Sequence, residues 1–178
     1  MKTATASNPN QVRATLQEVV PPSSTKPGYI VLAIPGSQYL LHLRPIGDVT
    51  TPIGKRTVGT ITAQARRVDS TVTGGQFIEP VHGRPRRLQG TIVAVDASAN
   101  TITVDAGGSV AVDGLPLPVV CKLTDARNQA GAYAVGQVVG ASGAAGFWAV
   151  RRRGSLTPSA CAAGRAWGGQ GGRVGGAR

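Results

Sequence analysis

Aromatic residues make up only 4% of this 178-residue chain: two Trp, three Tyr and two Phe. So few rings exclude a core built on aromatic packing and leave little material for the platforms on which single-strand binders stack bases. Cysteine is nearly absent as well, with Cys121 and Cys161 alone, too few for a framework of disulfides. Acidic residues number eight against nineteen Lys and Arg. A chain so short of negative charge should attract polyanions such as nucleic acid or anionic lipid. The start, Met1-Lys-Thr-Ala-Thr-Ala-Ser-Asn, lacks the apolar core of a signal peptide. With the sparse cysteines, this makes a reducing cytoplasm the expected location.

Motifs of catalysis are also missing. There is no glycine-rich phosphate loop followed by Lys-Ser or Lys-Thr, and no nucleophile elbow. His42 and His82 have no cysteine or acidic partner at ligand spacing. A non-enzyme without cofactor or metal is therefore expected. Residues 128–150 carry no charge and run into Arg151-Arg-Arg153, which imitates a membrane span with a basic flank. Most of those positions are Gly, Ala, Ser or Gln, whose transfer into hydrocarbon contributes little, so a final strand and turn is expected rather than a span.

Glycine and proline, in contrast, are plentiful, at 25 and 12 residues. Together with Val, Ile and Ala they suit short strands and tight turns, and an all-β fold follows. Residues 1–27 are rich in Ser, Thr, Pro and Asn and end in Pro21-Pro22; they read as a flexible arm, with one or two helical turns conceivable over Gln11 to Val20. Order is expected from Gly28, in a single domain over 28–150. Tyr29-Ile-Val-Leu-Ala-Ile34 and Tyr39-Leu-Leu-His-Leu-Arg44 flank Pro35-Gly36-Ser37 as a hairpin.

The most informative pattern is a repeat. Arg56-Thr-Val-Gly-Thr-Ile-Thr-Ala63 returns thirty-one residues later as Arg87-Leu-Gln-Gly-Thr-Ile-Val-Ala94. Alternation places Thr57, Gly59, Ile61, Ala63 and Ala65 on one face of the first copy, and Leu88, Gly90, Ile92 and Ala94 on the matching face of the second. Arg56, Thr60 and Gln64, and likewise Arg87, Gln89 and Thr91, are expected to face outward. Asp96-Ala-Ser-Ala-Asn100 then makes a turn into Thr101-Ile-Thr-Val-Asp105. Val119–Leu123 reads as another strand, and Thr124 is placed to cap a short helix reaching Tyr133. Tyr133-Ala-Val-Gly-Gln-Val-Val139 resembles the closing strand of small barrels. Over residues 28–150 the order of elements resembles an oligonucleotide/oligosaccharide-binding (OB-like) barrel. That resemblance implies a small barrel or β-sandwich of five to seven strands with a binding face.

Charge is unevenly placed. Basic and acidic residues stand at three against one in 1–27, ten against seven in 28–150, and six against none in 151–178. The last segment, with eight glycines, is expected to be disordered. It is either an Arg/Gly-rich extension with salt-sensitive affinity for RNA or DNA, or the product of a shifted reading frame in GC-rich DNA. Within the body, Gly83-Arg-Pro-Arg-Arg-Leu-Gln-Gly90 groups three arginines, and Pro85 biases Arg84 toward extended geometry. The candidate nucleic-acid contacts are Arg56, Arg66, Arg67, Arg84, Arg86 and Arg87, with Phe77 to stack a base and His82 as a second candidate stacker. Tyr29 and Tyr39 are assigned to core or rim. If the two repeat strands are neighbours, Arg56 and Arg87 begin one basic stripe. Four readings stay open: nonspecific binding of single-stranded DNA or RNA, a protein-assembly module pairing through a sheet edge, a merely solvated charged edge with Asp69, Glu79 and Asp96 as arginine partners, and last an enzyme, which needs a pocket bringing His42 or His82 beside an acid.

Overall fold

A computed structural model describes residues 10–72, 75–107, 116–143 and 148–152. The fold is all-β. Its strands are β1 (Val12–Val20), β2 (Tyr29–Ala33), β3 (Leu40–Ile46), β4 (Arg56–Ala65), β5 (Arg67–Ser70), β6 (Phe77–Glu79), β7 (His82–Gly83), β8 (Arg87–Asp96), β9 (Thr101–Asp105), β10 (Pro118–Leu123), β11 (Val138–Ser142) and β12 (Ala149–Arg152). All twelve of these strands join one mixed sheet, more than the five to seven expected, because short pieces such as β5, β6 and β7 pair within residues 28–150 and β1 is recruited from before them.

The sheet closes on itself. The path β1-β2-β3-β12-β4 ends where β4 pairs with β1, with Val12 opposite Gly59 and Thr15 opposite Arg56, so these five strands form a ring. From β4 a second path runs through β10, β9, β8 and β11 to β5. Only Arg66 separates β4 from β5, so this path too returns to the chain segment from which it left. β4 is thus common to both closures, and β5, continuing its chain, completes the second. The early residues of this stretch pair with β1 and β12, and the later ones with β10 and β11.

Burial along β4 follows the expected alternation: Thr57, Gly59, Ile61, Ala63 and Ala65 are buried, and Arg56 and Gln64 are exposed. In β8 the expected inner residues Leu88, Gly90 and Ile92 are buried. A register shift between Ile92 and Ala94 then leaves Ala94 half-buried, since a bulge rotates the following side chains relative to the ladder. One continuous apolar core includes Leu16, Leu32, Leu43 and Ile61 as well as Leu88, Ile102, Val104 and Val119. Cys121 lies inside it as a free thiol, and burial pushes its pKa up to about 12.

Several expectations are corrected. Residues 12–20 form a strand rather than part of an arm. Val12, Ala14 and Leu16 alternate with Arg13, Thr15 and Gln17, and the apolar set is buried while β1 pairs on both sides, with β2 and β4. The helix from Thr124 reduces to a single 3-10 turn, Ala130–Ala132. The Thr124 hydroxyl does not cap it; it donates to Ala65 O instead, at 3.1 Å. The repeat strands are not neighbours, since β10 and β9 stand between β4 and β8. The hairpins β2–β3 and β8–β9 and the strand β10 are as expected. Among the described residues no helix is long and apolar enough to cross a membrane. Residues 1–9 of the expected arm and 153–178 of the expected tail lie outside the described residues.

The repeat has a steric meaning in each copy. A Cβ at Gly59 would stand 2.8 Å from Arg151 O and 2.9 Å from Val150 Cγ2 of β12, and one at Gly90 would run into the carbonyl of Asp105 in β9. Both glycines mark places where a neighbouring backbone comes too close for a side chain. We expect Gly59→Ala and Gly90→Ala each to lower the unfolding free energy by about 1–3 kcal/mol. At Gly140 the nearest atom to a new Cβ would be Gln89 Oε1 at 3.9 Å, so Gly140→Ala should shift stability by less than about 0.5 kcal/mol. Urea denaturation distinguishes the three. Equal losses at all three positions would contradict the steric reading.

Candidate nucleic-acid interface

The stretch from Phe77 to Arg87 leaves β8 of one closure, reaches β3 of the other and returns. At its start β6 pairs with β8, setting Phe77 opposite Gln89 and Glu79 opposite Arg87. A cis Glu79-Pro80 bond turns the chain, and β7 then runs parallel to β3, with His82 opposite Leu40. Four further hydrogen bonds pin this crossing. Ile78 N donates to Tyr39 Oη at 3.1 Å, Leu40 N donates to Val81 O at 2.9 Å, His82 Nε2 donates to Gln38 O at 3.1 Å, and Arg86 N donates to Glu79 O at 2.7 Å. Pro85 is buried, while Arg84 is half-exposed and Arg86 and Arg87 are exposed. The proline therefore anchors a run whose charged side chains lie at the surface.

Glu79, Pro80, His82, Arg84, Arg86 and Arg87 line an open cleft of about 670 Å³. Two of its arginines lie against rings. The Arg84 guanidinium carbon is 5.5 Å from the centroid of Tyr29, and that of Arg87 is 5.8 Å from the centroid of Phe77. Such exposed cation–π contacts contribute about 0.5–1 kcal/mol each. Tyr29 also stacks on His42, centroid to centroid 5.0 Å, with the planes 10° apart. The two residues belong to adjacent strands β2 and β3, and a small cavity there is lined by both, together with Arg44, Arg84 and the buried Trp148.

The expected basic stripe takes a different course. On β11, Ser142 pairs with Arg67 of β5 on one side and with Arg87 of β8 on the other. All three side chains are exposed. At the spacing of neighbouring strands, this sets the two arginine backbones about 10 Å apart. Gly143 N donates to Arg86 O at 3.1 Å, which continues the row toward the cleft. Arg67, Arg84, Arg86, Arg87 and Phe77 are thereby brought to one region. Arg56 sits apart at the β1 end of β4. Arg66 lines a separate cleft of about 510 Å³ with Gln64, Thr124 and Asp125.

Of the three carboxylates expected as arginine partners, Asp69 takes that role, Asp96 does not, and Glu79 lies among the cleft arginines. Asp69 pairs with Arg67 at 2.8 Å, an exposed bridge worth at most about 1 kcal/mol. Asp96 serves its own turn, accepting from Ser98 Oγ at 2.6 Å and from the Ser98 and Ala99 amides at 3.0 Å. The Ser98 hydroxyl and the Ala99 amide hold its carboxyl below the usual range. Glu79 lines the cleft, so three guanidinium groups there face one carboxylate. Gln89, expected to be exposed, is buried because its amide donates to Gly75 O at 3.0 Å beneath the segment leading into β6.

The Tyr29–His42 pair was not among the candidates read from the sequence. The only local signal is that His42 lies outward on a strand whose inward residues, Leu41 and Leu43, are fully buried. Its closeness to Arg84 depends on β7 pairing with β3, which no local pattern encodes. The chain matches no protein-family model, no curated protein and no solved structure.

Tyr39 differs from the other rings near the cleft because its hydroxyl accepts from a backbone amide. Tyr39→Phe removes that acceptor from Ile78 N and should cost about 1–3 kcal/mol of stability. It should also speed hydrogen exchange at the Ile78 amide. Unchanged exchange would mean that Tyr39 does not hold the crossing in place.

Proposed function

We propose that this chain is a small β protein that binds single-stranded RNA or DNA without sequence preference, through arginine–phosphate contacts made by Arg67, Arg84, Arg86 and Arg87. The observation that carries this reading is the cleft in which three of those arginines meet one carboxylate beside half-buried rings. Guanidinium groups form paired, charge-assisted hydrogen bonds with phosphate oxygens, and a row of them can follow a backbone whatever its bases. In this reading the closure through β4–β5, β8, β9, β10 and β11 is an OB-like barrel. The crossing segment and β11 provide its binding face. Three of the six residues that line the cleft are arginines, with Glu79 and His82 beside them, and that weight of guanidinium groups suits the binding of phosphates. A cytoplasmic setting accords with the free, buried Cys121.

The test is fluorescence anisotropy with a labelled single-stranded oligonucleotide and the full chain, across a salt series. Affinity should fall steeply with salt. Joint reversal of Arg84, Arg86 and Arg87 to Glu should lower the log–log slope by about 2, because each phosphate neutralised on a single strand accounts for about 0.7 of that slope. A slope unaffected by the triple reversal would sink the reading. A chain that ignores oligonucleotides yet forms a defined oligomer would favour an assembly module instead.

A further inference from the structure

The arginine–phosphate reading explains attraction but not which form of nucleic acid the cleft prefers. Two features go further. The first is that the rings beside the cleft come in two separate places, Phe77 on β6 and the Tyr29–His42 stack on β2 and β3, each with one cleft arginine against it. The second is that these rings are half-buried, unlike the core side chains inside the sheet, and neither Tyr29 nor Phe77 is needed to complete a backbone hydrogen bond as Tyr39 is.

We infer that the cleft is a two-position stacking site for single-stranded nucleic acid, one base resting at Tyr29–His42 and another at Phe77, with the intervening phosphates held by Arg84, Arg86 and Arg87. This rests on the arginine–phosphate reading and adds the source of strand selectivity. In a duplex the base faces are already stacked on one another, so a duplex can offer this site only its phosphates. A single strand can offer both phosphates and faces. The arginines are suitably placed for the exchange. Arg84 and Arg87 lie against the rings, an interaction weaker than that of a base stacked on the same ring. When a base takes the ring, the displaced guanidinium gains a phosphate, to which it binds by charge-assisted hydrogen bonds.

Ring and charge are separable by substitution. Tyr29→Leu and Phe77→Leu retain apolar bulk and remove the aromatic face. In the full chain at fixed salt, each should weaken binding of a single-stranded oligothymidylate about fivefold or more. Binding of a duplex of equal length, and the salt slope, should stay unchanged. Phe77→Trp should tighten single-strand binding, a gain that no folding defect produces. Equal weakening for single strand and duplex, or unchanged binding in the leucine variants while reversal of Arg84, Arg86 and Arg87 still weakens it, would overturn the stacking site and leave the phosphate contacts standing. Failure of the unsubstituted chain to bind either nucleic acid would overturn both.

Discussion

One stretch of chain, Arg56 to Ser70, carries hydrogen-bonding partners for both closures of the sheet, and the remaining geometry follows from that double use. Its first residues pair with β1 and β12, and its last with β10 and β11. A sheet that returns to its own starting strand leaves few unpaired edges, which is how all-β chains avoid adding strands from other molecules. The arrangement requires a strand that can be buried on one side throughout, and β4 provides this with Thr57, Gly59, Ile61, Ala63 and Ala65. After exposed Arg66 and Arg67, Val68 of β5 resumes the buried series. The small residues matter as much as the apolar ones, because β12 presses its backbone against Gly59.

The same closure places the candidate interface. The short stretch Phe77 to Arg87 has its two ends paired with each other through β6 and β8 and its middle, His82–Gly83, paired with β3, so successive arginines lie against different parts of the sheet. Arg84 meets a ring from the β2–β3 hairpin, and Arg87 meets a ring from β6. Buried Pro85, together with the Arg86–Glu79 backbone bond, fixes the run between them. A cluster of like charges on a mobile loop would have to be ordered when it binds. Here much of that ordering is done by the fold.

Local pattern and long-range pairing contributed unequally to what the sequence reveals. The alternation of Arg56–Ala65 is legible because each side chain's burial depends on its own strand alone. Hairpins such as β8–β9 are legible because turn residues stand between the paired segments. Whether Arg56 lies beside Arg87 depends on strand order, and β9 and β10 insert between them. Val12, Ala14 and Leu16 do carry a strand signal, but it is overshadowed by the polar surroundings and Pro21-Pro22. For the interface, the grouping of Arg84, Arg86 and Arg87 is visible in the sequence as adjacency. The Tyr29–His42 platform lies within the β2–β3 hairpin, but its place beside Arg84, like the Arg67–Ser142–Arg87 row, is a product of pairing between segments roughly 40 to 75 residues apart.

That a crossing between two closures forms a binding face is most directly tested by nuclear magnetic resonance. The full chain, labelled with nitrogen-15, would be titrated with a single-stranded oligothymidylate while backbone amides and arginine Nε–H groups are followed. The largest shifts should fall on Phe77 to Leu88, with Tyr29, His42 and Ser142 joining them. Shifts confined to residues 153–178, or centred on Gln64, Arg66 and Thr124, would contradict that placement.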